Sequence, residues 1–430
     1  MSVPTHNLYD FVHQATKKQF LLFYFYPWGS RDLKNICSYL YTDDMINSLN
    51  GIPPKYRVCP EELTKYEKLI HLTITFQPTI LCHDQEPLNF DLYNDECELV
   101  QKYLKSPNID GRPRNHLGLN QNMNLRYINL LSIQKTWILL HSELNSQQVL
   151  KYENTGKFCG AYWWSHAIIA RDWYRYAQYD LSLEPQHQYQ KLFLMYCRDT
   201  TGTRQYRQTL LDQLSYTDIL KNCQIQSFDS TSVAESNDSA IYNPVDFNNT
   251  AISVVLETIF DSRIHLTEKI LRAIACAHPF ILAAGPGSLR LLKHYGFKTF
   301  DPYINENYDN ELDDQKRLLM ISNEMKRIST LSKQDQDAMI SAIRKIAKFN
   351  QERFFSSQFH KQIVQELQDN VKIAYDKGHL DLDTWWQRRQ TFKKSYTDLK
   401  LHQPGRSRET NQYLIKLYRQ QRLSNRLKTE

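Results

Sequence analysis

Short apolar runs of strand length recur along this chain, each ending in a polar turn and several followed by an apolar stripe at helical spacing. The clearest series lies between Ile252 and Phe300. Ile252 to Leu256 is apolar and β-branched, the pattern of a strand buried on both faces. Thr267 then offers an N-cap, with Glu268 in the first turn, where the helix dipole favours an anion. Ile270, Leu271, Ile274, Ala275 and Ala277 form one helical stripe. His278-Pro279 predicts its end, because the residue before proline avoids the α region. Phe280 to Ala284 predicts a second strand and Gly285-Pro286-Gly287 a turn. Ser288 predicts the cap of a helix that stops at Gly296, and Phe297 to Phe300 the start of a third strand. This alternation predicts half of a doubly wound α/β domain.

The same punctuation appears earlier. Phe20 to Tyr26 is an apolar run closed by Pro27-Trp28-Gly29-Ser30, and Arg31 to Leu40 reads as the helix after it. Thr79 to Cys82 and Trp137 to Leu140 predict two further strands, and Leu192 to Tyr196 predicts the first strand of a second domain after a 181–189 linker. Helices are expected from about Asp314 to Ile328, from Lys333 to Phe349 and over 351–375. The fold class expected is α/β: two Rossmann-like domains, residues 1–185 and 190–330, followed by a helical extension, 331–430.

Composition narrows the class. A chain of 430 residues with 41% hydrophobic and 12% aromatic residues suits a globular protein of two or three domains. It has no apolar run of membrane-spanning length, and MSVPTHNLYD lacks the basic-then-apolar order of a signal peptide, so a cytoplasmic protein is expected. Eight cysteines lie scattered without a Cys-x-x-Cys pair, the pattern of buried reduced thiols. The net charge of +6 is uneven: residues 384–430 carry +9, leaving the body at −3, which argues against a nucleic-acid-binding body.

Candidate chemistry gathers where strands end, since open α/β sheets bind ligands at their carboxyl edges. Thr79–Cys82 runs into His83-Asp84-Gln85-Glu86-Pro87, which places two carboxylates where a general base would stand; the alternative is that they satisfy loop N–H groups. Trp137–Leu140 runs into a turn containing Glu143. The segment 161–176 mixes aromatic rings with His166, Arg171, Asp172 and Arg175, a composition suited to sugars or to a packed helix. After Leu192–Tyr196 come Arg198, Arg204 and Arg207 around small hydroxyl residues and Gly202, a natural diphosphate clamp. Glu257, Thr258, Thr267, Glu268 and Lys269 meet at another edge. There Lys269 suits phosphate and Glu268 suits ribose hydroxyls, although Thr-Glu-Lys is also an ordinary helix start.

Residues 250–325 resemble the donor-binding half of GT-B glycosyltransferases, most closely the fucosyltransferase-like and exostosin-like group. The likeness rests on Thr267-Glu268-Lys269 opening a helix, Pro279-Phe280 opening the next strand, and the small-residue turn after it. The run Gly296 to Phe300 with Asn305 to Asp309 is similar to glycosyltransferase-like proteins of bacteria and large viruses. The resemblance implies transfer of a sugar from a nucleotide-sugar donor to a carbohydrate or other hydroxyl acceptor. The donor would be held by Arg198, Arg204, Arg207, Glu257, Thr267, Glu268 and Lys269. By likeness to the family's acidic acceptor-domain turn, Glu86 is the leading base, then Asp84, with Glu143 and His166 as further candidates. His83 and Arg171 would face the acceptor. Glu143 and Asn145 stand where the family has Ser-Asn, so that part of the match is incomplete.

No cofactor is expected. Asp381-Leu382-Asp383, an Asp-x-Asp triplet, is not at a predicted strand end, and Lys269 with an arginine can offset diphosphate charge without a metal. An inverting reaction is expected, with a retaining one open because Glu257 and Glu268 loosely resemble a paired-glutamate pattern. The alternative function is a non-catalytic carbohydrate- or nucleic-acid-binding protein on the same scaffold. For the basic tail, docking on the acidic body, contact with an anionic membrane surface and contact with an acidic partner all stay open.

Overall fold

The computed structural model describes Val12, Ala15 and residues 20–24, 79–84, 87–88, 137–154, 158–184, 188–226 and 238–378. Glu86, the Arg31–Leu40 helix, residues 381–383 and the basic tail lie outside the described residues. The chain divides into two compact units. One takes in Ser142–Ser146 and Tyr162–Gln368; the other takes in Thr16–His141, Gln147–Ala161 and the residues from Asp369.

In the second of these units, strands β1 (Phe20–Tyr24), β2 (Thr79–Asp84), β3 (Trp137–His141) and β4 (Phe158–Tyr162) form a sheet in that order, with α1 (Gln147–Asn154) between β3 and β4. β1, β2 and β3 run parallel, pairing Phe20 with Thr79 and Asp84 with His141. Apolar runs rather than alternating ones are what a parallel sheet covered on both faces requires.

The larger unit is built on β5 (Lys191–Tyr196), β6 (Cys223–Gln226), β7 (Thr250–Leu256) and β8 (Phe280–Ala283), in the order β6-β5-β7-β8. All three pairings are parallel. The order reverses at β5. The chain moves outward to β6 through α3 (Gln205–Ser215), returns through α4 (Pro244–Asn248) to β7, and moves the other way to β8 through α5 (Glu268–Ala275). Right-handed crossovers in opposite directions put α3 and α5 on opposite faces. The reversal also leaves a switch point between the carboxyl ends of β5 and β7.

Every residue of β7 is buried, as its composition predicts. On α5 the predicted stripe is buried at Ile270, Leu271 and Ile274, each contributing roughly 1.5–3 kcal/mol of burial. Further helices are α2 (Ser165–Trp173), α6 (Ser288–His294), α7 (Asp314–Ser329), α8 (Lys333–Phe355) and α9 (Ser357–Gly378). Trp163 and Trp164 are fully buried, and their indole N–H groups donate to Ile363 O (3.1 Å) and Leu266 O (2.8 Å). No described helix is long and apolar enough to cross a membrane.

Three local expectations change. First, Phe297–Phe300 is not a strand. Its backbone groups are satisfied by side chains: Asn350 bonds both the N–H and the C=O of Lys298 at 2.8 Å, and Glu306 accepts the Phe300 N–H at 2.6 Å. Second, Ser288 does not cap α6. Gly287 holds that position at φ 84°, and the Asp309 carboxylate accepts the N–H groups of Leu289 (2.9 Å) and Arg290 (3.2 Å) from twenty residues away. Third, α5 stops before His278-Pro279. Ala277 turns left-handed at φ 51°, its N–H bonds Ile274 O at 3.1 Å, and the His278 N–H bonds Ala273 O at 2.9 Å. This is a Schellman ending with alanine where glycine is usual.

The left-handed conformation costs an alanine about 1–2 kcal/mol, and part of that gain is offset by the greater unfolded-state freedom of glycine. Ala277→Gly is therefore expected to stabilise the protein by about 0.5–1 kcal/mol, read as a raised midpoint in urea unfolding with an unchanged slope.

Candidate functional site

Parallel strands that end together expose a row of carbonyl oxygens, and a buried carbonyl without a partner costs free energy. In the larger unit two buried arginines supply the donors. Arg207, on the apolar face of α3 with Leu210 and Leu214, donates to Asp199 O (2.9 Å), Leu256 O (2.8 Å) and Glu257 O (2.9 Å), so one guanidinium ties the exit of β5 to that of β7. Its neighbour Tyr206 donates to Glu257 O at 2.6 Å and stacks on Phe260 at 4.3 Å. Arg317, on α7, donates to Ala284 O (3.1 Å), Glu311 O (2.9 Å) and Phe260 O, and lies 4.2 Å over the Phe260 ring. Gly285 is required beside it: a Cβ there would sit 1.8 Å from Arg263 O. Arg207 is thus neither solvated nor open to a ligand.

At the switch point, α5 opens on a closed polar cluster. The fully buried Glu257 accepts from Thr267 N (3.0 Å) and Thr267 Oγ1 (2.6 Å), which fixes the capping residue. Burial pushes the Glu257 carboxyl up, against the lowering influence of Lys269 and of its bonds to Thr267. Lys269 Nζ lies 2.8 Å from Glu268 Oε1, 3.2 Å from Thr258 Oγ1 and 3.2 Å from Thr267 Oγ1. An ammonium has three hydrogens, so these contacts use them all. Burial works against the Glu268 anion, but the Lys269 charge, His166 and the Lys269 hydrogen bond outweigh it and hold that carboxyl at about 2.

Two buried histidines adjoin this cluster. The rings of His166 and His265 meet edge to face at 5.2 Å. Burial pushes His166 down to about 4, Glu268 opposing and Lys269 reinforcing the shift. Burial, then the neighbouring His166, lowers His265 well below its ordinary value. Both rings are neutral at pH 7. Ser142 Oγ lies 3.2 Å from His265 Nδ1, while His166 Nδ1 is buried without a hydrogen-bond partner among the described residues.

Comparison with protein-family models, curated proteins and solved structures finds no match for the chain.

The other sequence candidates sort by what they touch. Glu143 is buried and ion-paired with Arg263 at 3.3 Å, accepts from Ser146 Oγ, and stands beside an antiparallel bridge between Leu144 and Ile264. It clasps two loops. Arg171 donates to Phe355 O at 3.1 Å and lies 5.9 Å from the Phe354 ring; burial lowers it to about 10. It anchors the end of α8. Arg204 pairs with Asp199 at 3.0 Å, half-exposed. Arg198 is exposed at the β5 exit. His83 and Asp84 end β2 in the other unit. Among the described residues no group of three or more His, Cys, Asp or Glu is placed to hold a metal ion.

Sequence reasoning missed His265, Arg272, Tyr196 and Arg317. Arg272 was legible as the residue three after Lys269 on the same helix face. Arg317 was legible as an arginine in register with Ile321, Met325 and Ile328 on an apolar face. A cation there is either an error of pattern or a buried staple.

Two predictions follow from this geometry. Arg207→Met removes the donor of three backbone carbonyls while keeping much of the volume. It is expected to destabilise the protein by about 3 kcal/mol, measured by urea unfolding. The second concerns pH. His166 and the buried His278, which burial also pushes down to about 4, take up protons when unfolded near pH 6.5 but resist them when folded. The unfolded chain binds more protons between those values, so their stability contribution is full above pH 6.5 and falls away toward pH 4, by up to about 3 kcal/mol each. The raised carboxyls Glu257 and Glu366 act with the opposite sign just above pH 4.5. The slope of unfolding free energy against pH between 6.5 and 5 is expected to be shallower in His166→Asn than in the parent.

Proposed function

We propose that this protein is a glycosyltransferase that moves a sugar from a nucleotide-sugar donor to a hydroxyl acceptor, with the donor held by the sheet β6-β5-β7-β8. The observation that carries the reading is the Glu268–Lys269 pair on Thr267, at the carboxyl end of β7 beside the switch point. A carboxylate held ionised at about 2 is a lasting acceptor for ribose hydroxyls, and the positive end of the α5 dipole favours a nearby phosphate. In this reading the chain is a two-domain GT-B enzyme, and the unit carrying β1–β4 receives the acceptor. Asp84 or Glu86 removes the acceptor proton. The acceptor oxygen then bonds the anomeric carbon as that carbon's bond to the diphosphate breaks, and the nucleoside diphosphate leaves with inversion. Metal-independent transfer is part of the proposal.

Titration calorimetry with nucleoside diphosphates tests it. Lys269→Ala deletes a cation and leaves Glu268 uncompensated against the incoming anion, so affinity is expected to fall roughly tenfold to a hundredfold. Glu268→Ala should weaken nucleoside diphosphates more than inorganic pyrophosphate. In the same preparations, Glu86→Gln or Asp84→Asn should lower sugar transfer by about 10²–10⁴ while donor affinity holds. Unchanged affinity in both α5 variants would remove the donor site from α5 and the reading with it.

A further inference from the structure

We propose that Arg272, held ready by the ring of Tyr196, is the cation of the donor site that contacts the diphosphate of a nucleoside diphosphate. The inference rests on the donor reading above and deepens it. A small pocket lies between α5 and the exits of β5 and β7, the switch-point position. Its walls include Tyr196, Phe247, Leu256, Lys269 and Arg272. Two cations reach it, and they differ in what they can still do. The Lys269 ammonium is saturated by Glu268, Thr258 and Thr267, and its charge is matched by Glu268 at 2.8 Å. Arg272 has no carboxylate partner among the described residues. Its one hydrogen bond is a long contact of Nη1 with Ile241 O at 3.4 Å, which leaves four of its five N–H groups.

What holds Arg272 in place is an aromatic face. The guanidinium lies 4.0 Å over the Tyr196 ring. Tyr196 is fixed through its hydroxyl, which donates to Asp246 at 2.8 Å, and Asp246 is fixed in turn by Gln224 (2.7 Å) and Gln226 (3.0 Å). A ring orients a guanidinium without neutralising it, and the planar fork matches phosphate oxygens two at a time. Glu268 then serves the ribose, Lys269 keeps that carboxylate compensated, and Arg272 serves the diphosphate charge.

The test is calorimetric titration of guanosine, uridine, adenosine and cytidine diphosphates into the parent, Arg272→Gln and Arg272→Lys, with Arg198→Gln alongside. For whichever diphosphate binds, Arg272→Gln is expected to lose about tenfold or more in affinity and to flatten its salt dependence. Arg272→Lys keeps the charge without the fork and falls between the two. Because a variant can fail to fold, a second measurement uses the parent alone. Phenylglyoxal modification of Arg272, followed by peptide mass spectrometry, should be slowed by the bound diphosphate. A diphosphate that binds parent and Arg272→Gln alike, yet is weakened by Lys269→Ala, overturns this inference and leaves the donor reading standing. Unprotected Arg272 in a saturated complex also overturns it. Failure of all four diphosphates to bind at millimolar concentration overturns both.

Discussion

The carboxyl edge of the β6-β5-β7-β8 sheet is the constraint on which the larger unit depends. Strands that stop together leave carbonyls facing a region from which water is excluded. Arg207 and Arg317 answer most of that demand, one from each of two helices, with six backbone acceptors between them. The aromatic stack of Tyr206 and Phe260 lies between the two guanidinium groups. A buried arginine is costly unless its donors are matched, and here most of the matching is to backbone, which cannot move away. The exits of β5, β7 and β8 are therefore fixed relative to one another before any ligand arrives.

That fixation defines the chemistry left over. Arg207 crosses between the exits of β5 and β7, and the polar cluster that opens α5 begins at the same Glu257. There charge is distributed with little surplus. Glu257 is spent on Thr267, Glu268 and Lys269 cancel each other, and the two histidines are neutral through burial. Arg272 is the cation at that face with no carboxylate partner among the described residues. The pocket is thus lined by an oriented guanidinium and by an ammonium whose hydrogens are already taken, one helical turn apart on α5.

Much of the architecture was legible in the sequence. β5, β7 and β8 are buried along most of their length, so each reads as a mainly apolar run whatever surrounds it. The start of α5 was equally clear, because an N-cap acts through bonds within three residues. The failures share one cause. Phe297–Phe300 has a strand's composition, but Asn350 and Glu306 take the backbone groups a neighbouring strand would have needed. Ser288 is a good capping residue, but the cap came from Asp309. In each case a distant side chain supplied a hydrogen bond that local pattern cannot register.

The sequence by itself determined the α/β class, the positions of the principal strands, and a Thr-Glu-Lys helix start at a strand's carboxyl end. These follow from periodicity and capping, which are set by neighbours along the chain. Only the tertiary structure decided which charged residues are available. Glu143, Glu257, Arg171 and Arg207 looked alike from the sequence as polar groups at loop and helix starts; folding spends the first on Arg263, the second on Thr267 and the two arginines on backbone carbonyls. Arg272, which the sequence reading passed over, stands beside the pocket with no carboxylate partner among the described residues. The physical reason is that a charge's role depends on what satisfies it, and its partners here lie as far as nearly two hundred residues away.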